Sequence, residues 1–341
     1  MLHFDCDYME GAHPEILRRL ADTNLEQTPG YGCDTYTEHA RELIRRECEA
    51  PGAEVYFLVG GTQTNATVID GLLRRHEGVL AAESGHINVH EAGEIEAAGH
   101  KVLARPEYDG KVRAADVGHY IEEFYRDETW PHMVTPGMLY ISHPTEYGTL
   151  YSRSELEELQ AVCRRRAIPL YLDGARLSYA LAAEGNTLTL PDIARLCDVF
   201  YIGGTKTGAL FGEAVVITRP ELLPRFFTLV KQHGALLAKG RLLGIQFETL
   251  FTDGLYLRIA RRAIAAAMKL KEAMLAKGYR LHIDSPTNQQ FFVLPNREID
   301  RLSRYATFEL WGPRGERESV VRFVTSWATE ERHVDELISR L

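Results

Sequence analysis

Between Val55 and Ile217 short apolar runs alternate with stretches of helical period, and no other feature of the chain narrows its fold as much. Val55-Tyr-Phe-Leu-Val59, Val79–Ala82, Lys101–Ala104, Leu139-Tyr-Ile-Ser142, Ile168-Pro-Leu-Tyr-Leu172, Val199-Phe-Tyr-Ile202 and Ala214-Val-Val-Ile217 read as buried strands. Between them lie helical patterns. Val68, Ile69, Leu72 and Leu73 share one face, a helix is expected from Val89 to Ala98, and Ser152-Arg-Ser-Glu155 offers a capping box for a helix running to Ala167. This alternation implies an α/β fold, with a mostly parallel sheet covered on both faces. Ahead of it, Pro14 starts one helix and Ala40, Leu43 and Ile44 mark a second. Beyond Pro220 the pattern changes to long helices, Leu236–Leu250 and Leu255–Ala276. Strands at Gln289–Leu294 and Val320–Thr325 and a last helix from Glu330 to Leu341 follow. We therefore expect residues 1–250 to form an N-terminal arm and large α/β domain, and residues 251–341 a small α+β domain.

Several runs end in residues that carry chemistry. Val199–Ile202 breaks at Gly203-Gly204 and presents Thr205-Lys206-Thr207 before Gly208. Lysine is sparse, with eight among 39 basic residues. A long amine packed among glycines loses water, which lowers its pKa and favours condensation with a carbonyl; the plain alternative is a solvated strand-end lysine. Asp173-Gly-Ala-Arg176 follows another strand, where open α/β sheets place ligands, unless the two charges merely close a turn. The Val55 strand leads into Gly60-Gly61-Thr62-Gln63-Thr64-Asn65 and a helix. Free amides and the helix dipole converge there on a point that suits a phosphate, with Thr62 adding a hydroxyl. The pattern is neither G-x-G-x-x-G nor a P-loop, which disfavours a nucleotide. His86, His90 and Glu94 have helical spacing, but without H-E-x-x-H no metal is expected.

Charge and cysteine usage narrow the partners. A net charge of −9 with no extended basic tract argues against nucleic acid, and the Arg164–Arg166 cluster reads as a solvated helix face. The five cysteines are scattered and never spaced C-x-x-C, which implies a reducing compartment and no zinc site. No apolar run is long enough to span a bilayer, and no basic and apolar leader follows Met1. A cytoplasmic protein without a membrane partner is the expectation.

An amine, an acid, a phosphate turn and a Gly-His pair in one α/β domain suit pyridoxal phosphate. The motifs run in order. Tyr31-Gly-x-Asp34, Gly61-Thr-Gln-x-Asn65, His86 with Glu91 and Gly93, and Thr145-Glu-x-Gly148 come first; Asp173-Gly-Ala-Arg176, the Lys206 loop and Arg322-x-Val-Thr-x-Trp327 follow. With them, from Phe4 to the final helix, the chain resembles the L-threonine aldolase group of the β-eliminating lyase family, pyridoxal phosphate enzymes of fold type I, the aspartate-aminotransferase-like fold. The resemblance implies that Lys206 bonds the cofactor aldehyde, Asp173 pairs with the ring nitrogen, Gly61 and Thr62 hold the phosphate, and His86 stacks on the ring. Arg176 and Arg322 match the arginines that clamp a substrate carboxylate, each a planar fork suited to it. His132 lies near the family's second active-site histidine. Cys6-Asp7 stands where the family has serine before aspartate, and a thiol is a weak donor.

Lys239 best matches a basic residue that reaches the neighbouring subunit's phosphate, so the resemblance implies a homodimer or homotetramer with shared sites. The implied reaction is aldol cleavage of L-threonine, L-allo-threonine and related β-hydroxy-α-amino acids to glycine and an aldehyde. The base for the hydroxyl is open among His86, His132 and a water. The alternatives are another pyridoxal phosphate-dependent lyase or an aminotransferase, a cofactor-binding protein without turnover, and a nucleotide-binding dehydrogenase.

Overall fold

A computed structural model describes residues 1–341. In chain order its strands are β1 (Leu2–His3), β2 (Glu54–Leu58), β3 (Glu77–Ala82), β4 (Lys101–Arg105), β5 (Thr135–Ser142), β6 (Leu170–Asp173) and β7 (Val199–Gly203). Then come β8 (Glu213–Ile217), β9 (Arg280–Ile283), β10 (Gln289–Pro295), β11 (Ala306–Thr307), β12 (Glu309–Leu310) and β13 (Glu318–Val324). Seven of them form one sheet in the order β2-β8-β7-β6-β5-β3-β4. Strands β3 to β7 pair in parallel, and β8 runs antiparallel between β7 and β2. Every residue of β6, β7 and β8 is buried. Helices cover both faces of such a sheet, so its strands are apolar throughout rather than alternating.

The period of two shows in which core each residue joins. Leu80, Leu139, Ile141, Leu172, Phe200 and Ile202 pack into one cluster. Their neighbours Val79, Ala81, Met138, Tyr140, Tyr171 and Tyr201 pack into a second, on the opposite face. The chain leaves β3 for the edge strand β4, then returns to β5 on the other side of β3. That reversal makes a switch point, and the C-terminal ends of β3, β5, β6 and β7 open around it.

A four-stranded antiparallel sheet, β12-β13-β10-β9, lies near the C-terminus. Its core joins Phe292, Leu294, Val321 and Phe323 to Leu270, Met274, Val334 and Leu337, and also to Leu2 and Phe4 of the arm. The arm is held by main-chain bonds. Strand β1 pairs in parallel with β11, the Phe4 amide donates to the Thr307 carbonyl at 2.9 Å, and the Val324 amide donates to the Phe4 carbonyl at 2.7 Å. The 22-residue helix Leu255–Ala276 rises about 33 Å. It buries Leu255, Tyr256 and Ile259 in the core of the large sheet and Leu270 and Met274 in that of the small one. No helix is long and apolar enough to cross a membrane.

Three expectations change. The helix expected at Val89–Ala98 is two single turns, His86–Val89 and Glu94–Ala97, split where Ala92 and Gly93 both take positive φ. The helix expected from Leu236 begins only at Arg241, after a turn through Gly234, whose φ is +69°. Helices Ala114–Arg126, Leu177–Ala182, Leu190–Leu196, Phe226–Gln232 and Asn296–Leu302 are additions to the elements read from sequence.

Phe4 is fully buried and ties the arm to the small sheet. Phe4→Ala should destabilise the protein by about 3–5 kcal/mol, as for other buried aromatic truncations. Urea unfolding of variant and parent measures the difference; an unchanged midpoint would show that the arm is not part of the core.

Candidate active site

At the C-terminal edge of the large sheet a cavity of about 160 Å³ opens, lined by His86, Ser142, Glu146, Asp173, Arg176, Lys206 and Glu213 among others. Asp173 ends β6 and is buried, with four donors on its carboxylate. The Tyr140 hydroxyl and the Asn65 amide donate to Oδ2 at 2.6 and 3.0 Å. The Tyr201 hydroxyl and the Ala175 amide donate to Oδ1 at 2.6 and 2.9 Å. Burial works against its charge, but His86 and these donors hold its pKa below the ordinary carboxylate value. Bonds to a charged acceptor contribute roughly 1.5–3 kcal/mol each, so several together offset desolvation. The turn that follows needs Gly174, because a Cβ there would lie 1.9 Å from the Tyr201 carbonyl oxygen.

Asn65 links the acid to the imidazole. Its Nδ2 also donates to Glu91 Oε1 at 2.8 Å, its Oδ1 accepts from Tyr171, and the same Glu91 oxygen lies 2.8 Å from His86 Nδ1. Burial alone would lower the His86 pKa, but Glu91, Glu146 and Asp173 raise it. The break at Ala92-Gly93 turns Glu91, rather than Glu94, towards His86.

Lys206 follows β7 and presents its amine to the cavity with no hydrogen bond or ion pair inside the chain. Burial and the nearby Arg176 draw its pKa below the ordinary amine value, against the pull of Asp7 and Asp173. Beside it, Glu213 opens β8. Its Oε1 accepts from the Thr205 hydroxyl at 2.8 Å and its Oε2 from the Gly204 amide at 3.2 Å. Burial pushes the Glu213 carboxyl up to about 8. An acid opening an apolar strand was the sequence signal for it.

Arg176 is not a free fork. Its Nε and Nη2 donate to the two oxygens of Asp7 at 2.8 and 3.0 Å, and Asn288 donates to the same carboxylate at 2.9 Å. Only Nη1 of Arg176 makes no hydrogen bond within the chain. Burial opposes the Asp7 charge, yet Arg176 and Lys206 keep its pKa below the ordinary value. Arg322, in the middle of β13, donates from Nη1 to Gln289 at 2.8 Å and from Nη2 to Glu309, with Nε buried and unpartnered. Burial and then the charge of Arg176 draw its pKa below the ordinary guanidinium value, so the two cations feel one another. Cys6 is half-buried and does not line the cavity; burial pushes its thiol up.

The phosphate corner has the expected form. The Gly61–Leu72 helix starts at the cavity wall with no side-chain cap on its first amides, and a Cβ at Gly61 would lie 3.3 Å from the Tyr201 hydroxyl. Thr62, one residue on, is exposed. An ionised carboxylate, an unpaired amine, an imidazole and uncapped helix amides around one cavity fit the ring nitrogen, aldehyde, ring face and phosphate of pyridoxal phosphate. His132 does not belong to this group. It sits on the exposed Trp130–His132 turn just before β5, at the far end of the strand from Ser142, so the expectation for it is corrected. Lys239 is exposed in the turn before the Arg241 helix, away from the cavity of its own chain.

Comparison with known proteins identifies relatives of this chain. Residues 4–293 match the family described as beta-eliminating lyase. A low specificity L-threonine aldolase of a Pseudomonas species is 30% identical over 98% of this chain and 95% of its own length. A threonine aldolase structure from Leishmania major superposes with a TM-score of 0.96 at 44% identity, covering 99% of this chain and 98% of that one. Aspartate aminotransferase from Thermus thermophilus shares the fold, with a TM-score of 0.73 at 16% identity, covering 100% of this chain and 90% of that one.

The burial of Glu213 has a measurable sign. Its folded value of about 8 lies above the ordinary 4.5, so the folded chain keeps a proton that the unfolded chain has released. Its contribution is whole below about pH 4.5 and is lost as pH rises through about 8. Glu213→Gln should flatten that decline, which denaturant midpoints across this range will read; a variant with the parent's slope removes Glu213 as its cause.

Proposed function

Because the chain belongs to the β-eliminating lyase family, we propose that it is a pyridoxal phosphate-dependent aldehyde-lyase that cleaves L-threonine, L-allo-threonine and related β-hydroxy-α-amino acids to glycine and an aldehyde. The observation that carries this reading is the unpaired Lys206 amine facing the same cavity as a buried, ionised Asp173, in a chain similar to threonine aldolases over nearly its whole length. When bound, the cofactor supplies an electron sink for the bond broken at Cα.

Asp173 keeps the ring nitrogen protonated, since a carboxylate held by four donors retains its charge. Lys206, drawn towards its neutral form, offers a nucleophilic amine to the cofactor aldehyde. His86, oriented through Nδ1 by Glu91, presents its ring to the cofactor face. Gly61 and Thr62 hold the phosphate on the helix amides. Arg176 Nη1 meets the substrate carboxylate, with Arg322 as its second contact. The carboxylate so held sets the Cα–Cβ bond in the direction that the sink accepts.

The reading extends to assembly and location. Lys239 is exposed and reaches the phosphate of a second copy across a two-fold interface, in a homodimer or homotetramer. All five cysteines are unpaired, which suits the cytoplasm.

Borohydride should fix the cofactor to the peptide carrying Lys206, and purified protein should release acetaldehyde and glycine from L-threonine. Arg322→Ala should lower kcat/KM by the equivalent of about 2–5 kcal/mol while the cofactor absorbance is kept. Pyruvate or ammonia as the main product would assign elimination instead. On dilution, Lys239→Ala should lose cofactor faster than the parent, because a phosphate held from two subunits couples retention to assembly. Equal retention at every concentration, or an active monomer in sedimentation, would remove the shared site.

A further inference from the structure

Five acids stand in or directly behind the cavity, and four are committed. Asp173 has four donors, Glu213 has Thr205 and Gly204, Asp7 has Arg176 and Asn288, and Glu91 has His86 and Asn65. The fifth, Glu146, lines the cavity with 9% of its surface exposed and makes no hydrogen bond or ion pair in the chain. Its charge is felt by His86, Lys206 and Arg176.

Its loop is held firmly. It follows β5 at the switch point, with Thr145 and Thr149 joined by a main-chain bond of 3.0 Å and a hydroxyl contact of 2.7 Å. Gly148, at φ +73°, packs so closely on Ser285 that a Cβ would lie 2.3 Å from its hydroxyl. A carboxylate without hydrogen-bond partners, on a fixed loop at the wall of a ligand cavity, is free to accept from a bound group.

We propose that Glu146 is the general base for the substrate β-hydroxyl, an inference that rests on the aldol-cleavage reading. The hydroxyl donates to a Glu146 oxygen, and in the reaction its O–H bond breaks with the proton passing to that oxygen. The O–H electron pair becomes the second bond of the aldehyde carbonyl. The Cα–Cβ bond breaks and its pair stays with Cα, for which the cofactor, when bound, would supply the electron sink. A proton added at Cα completes glycine, and release of the proton from Glu146 restores the carboxylate, so no proton is gained or lost overall. His86 serves this step less well. Its Nδ1 is engaged by Glu91, and its ring is committed to the cofactor face. His132 lies at the far end of β5.

The test separates carbon–carbon cleavage from chemistry at Cα alone, using glycine, which lacks the hydroxyl. In the holoenzyme, Glu146→Gln should lower kcat for L-threonine roughly 10²–10⁴-fold, the usual contribution of a general base. KM, the cofactor absorbance and the exchange of the glycine α-proton into D₂O, followed by NMR, should stay near the parent's. Glu146→Asp should recover part of the cleavage rate, and it decides the question if the glutamine variant fails to fold. Threonine cleavage at the parent's rate in Glu146→Gln overturns the assignment. So does glycine exchange that falls in step with cleavage, since Glu146 would then only organise the site. A parent that exchanges glycine but leaves threonine uncleaved overturns the aldolase reading, and this one with it.

Discussion

A carboxylate buried at the end of a strand must draw its donors from elsewhere, and Asp173 draws them from neighbouring strands, a helix and its own turn. Tyr140 comes from β5, Tyr201 from β7, Asn65 from the Gly61–Leu72 helix and Ala175 from the following turn. Those donors converge only if β5, β6 and β7 are adjacent and in register, with Tyr140 beside Tyr171 and Ser142 beside Asp173. A slip of one residue would turn both tyrosine hydroxyls to the opposite face. Asn65 carries the same network on to Glu91 and through it to His86, so the acid and the imidazole share one set of hydrogen bonds.

The arginines show how the site trades one partner for another. A buried guanidinium left alone is strongly destabilising, and Asp7 and Glu309 meet that demand within the chain. Asp7 takes Nε and Nη2 of Arg176 and leaves Nη1 open on the cavity side. After burial, the charge of Arg176 is the next cause that lowers the Arg322 pKa, and Glu309 and Asp7 act against it.

Lys206, Asp173, His86 and Gly61 were legible in the sequence because each interrupts or follows an apolar run with a residue type that a core does not need. Tyr140, Tyr171 and Tyr201 were not. Inside continuous apolar strands a tyrosine reads as core, and only the fold shows that three such hydroxyls turn towards one network. The bond between Asp7 and Arg176 joins positions 169 apart, which no local pattern could pair. His132 was carried by the resemblance alone, and its place ahead of β5 puts it at the end of the strand opposite Ser142. The single turns around Gly93 were hidden because an unbroken helical period and a broken one differ by two backbone angles.

The arm also fixes an order of events during synthesis. The partners of Leu2 and Phe4, namely Ala306, Thr307 and Val324, are made long after them, and the contact between His3 and Thr307 spans 304 positions. The large sheet can close as soon as β8 emerges, whereas the small core stays open, with Leu2 and Phe4 unpaired, until β13 has been made. Asp7 rides on that same arm, so Arg176 waits equally long for its counter-ion. The nascent chain thus passes through a stage with its major fold in place and its ligand cavity electrically incomplete.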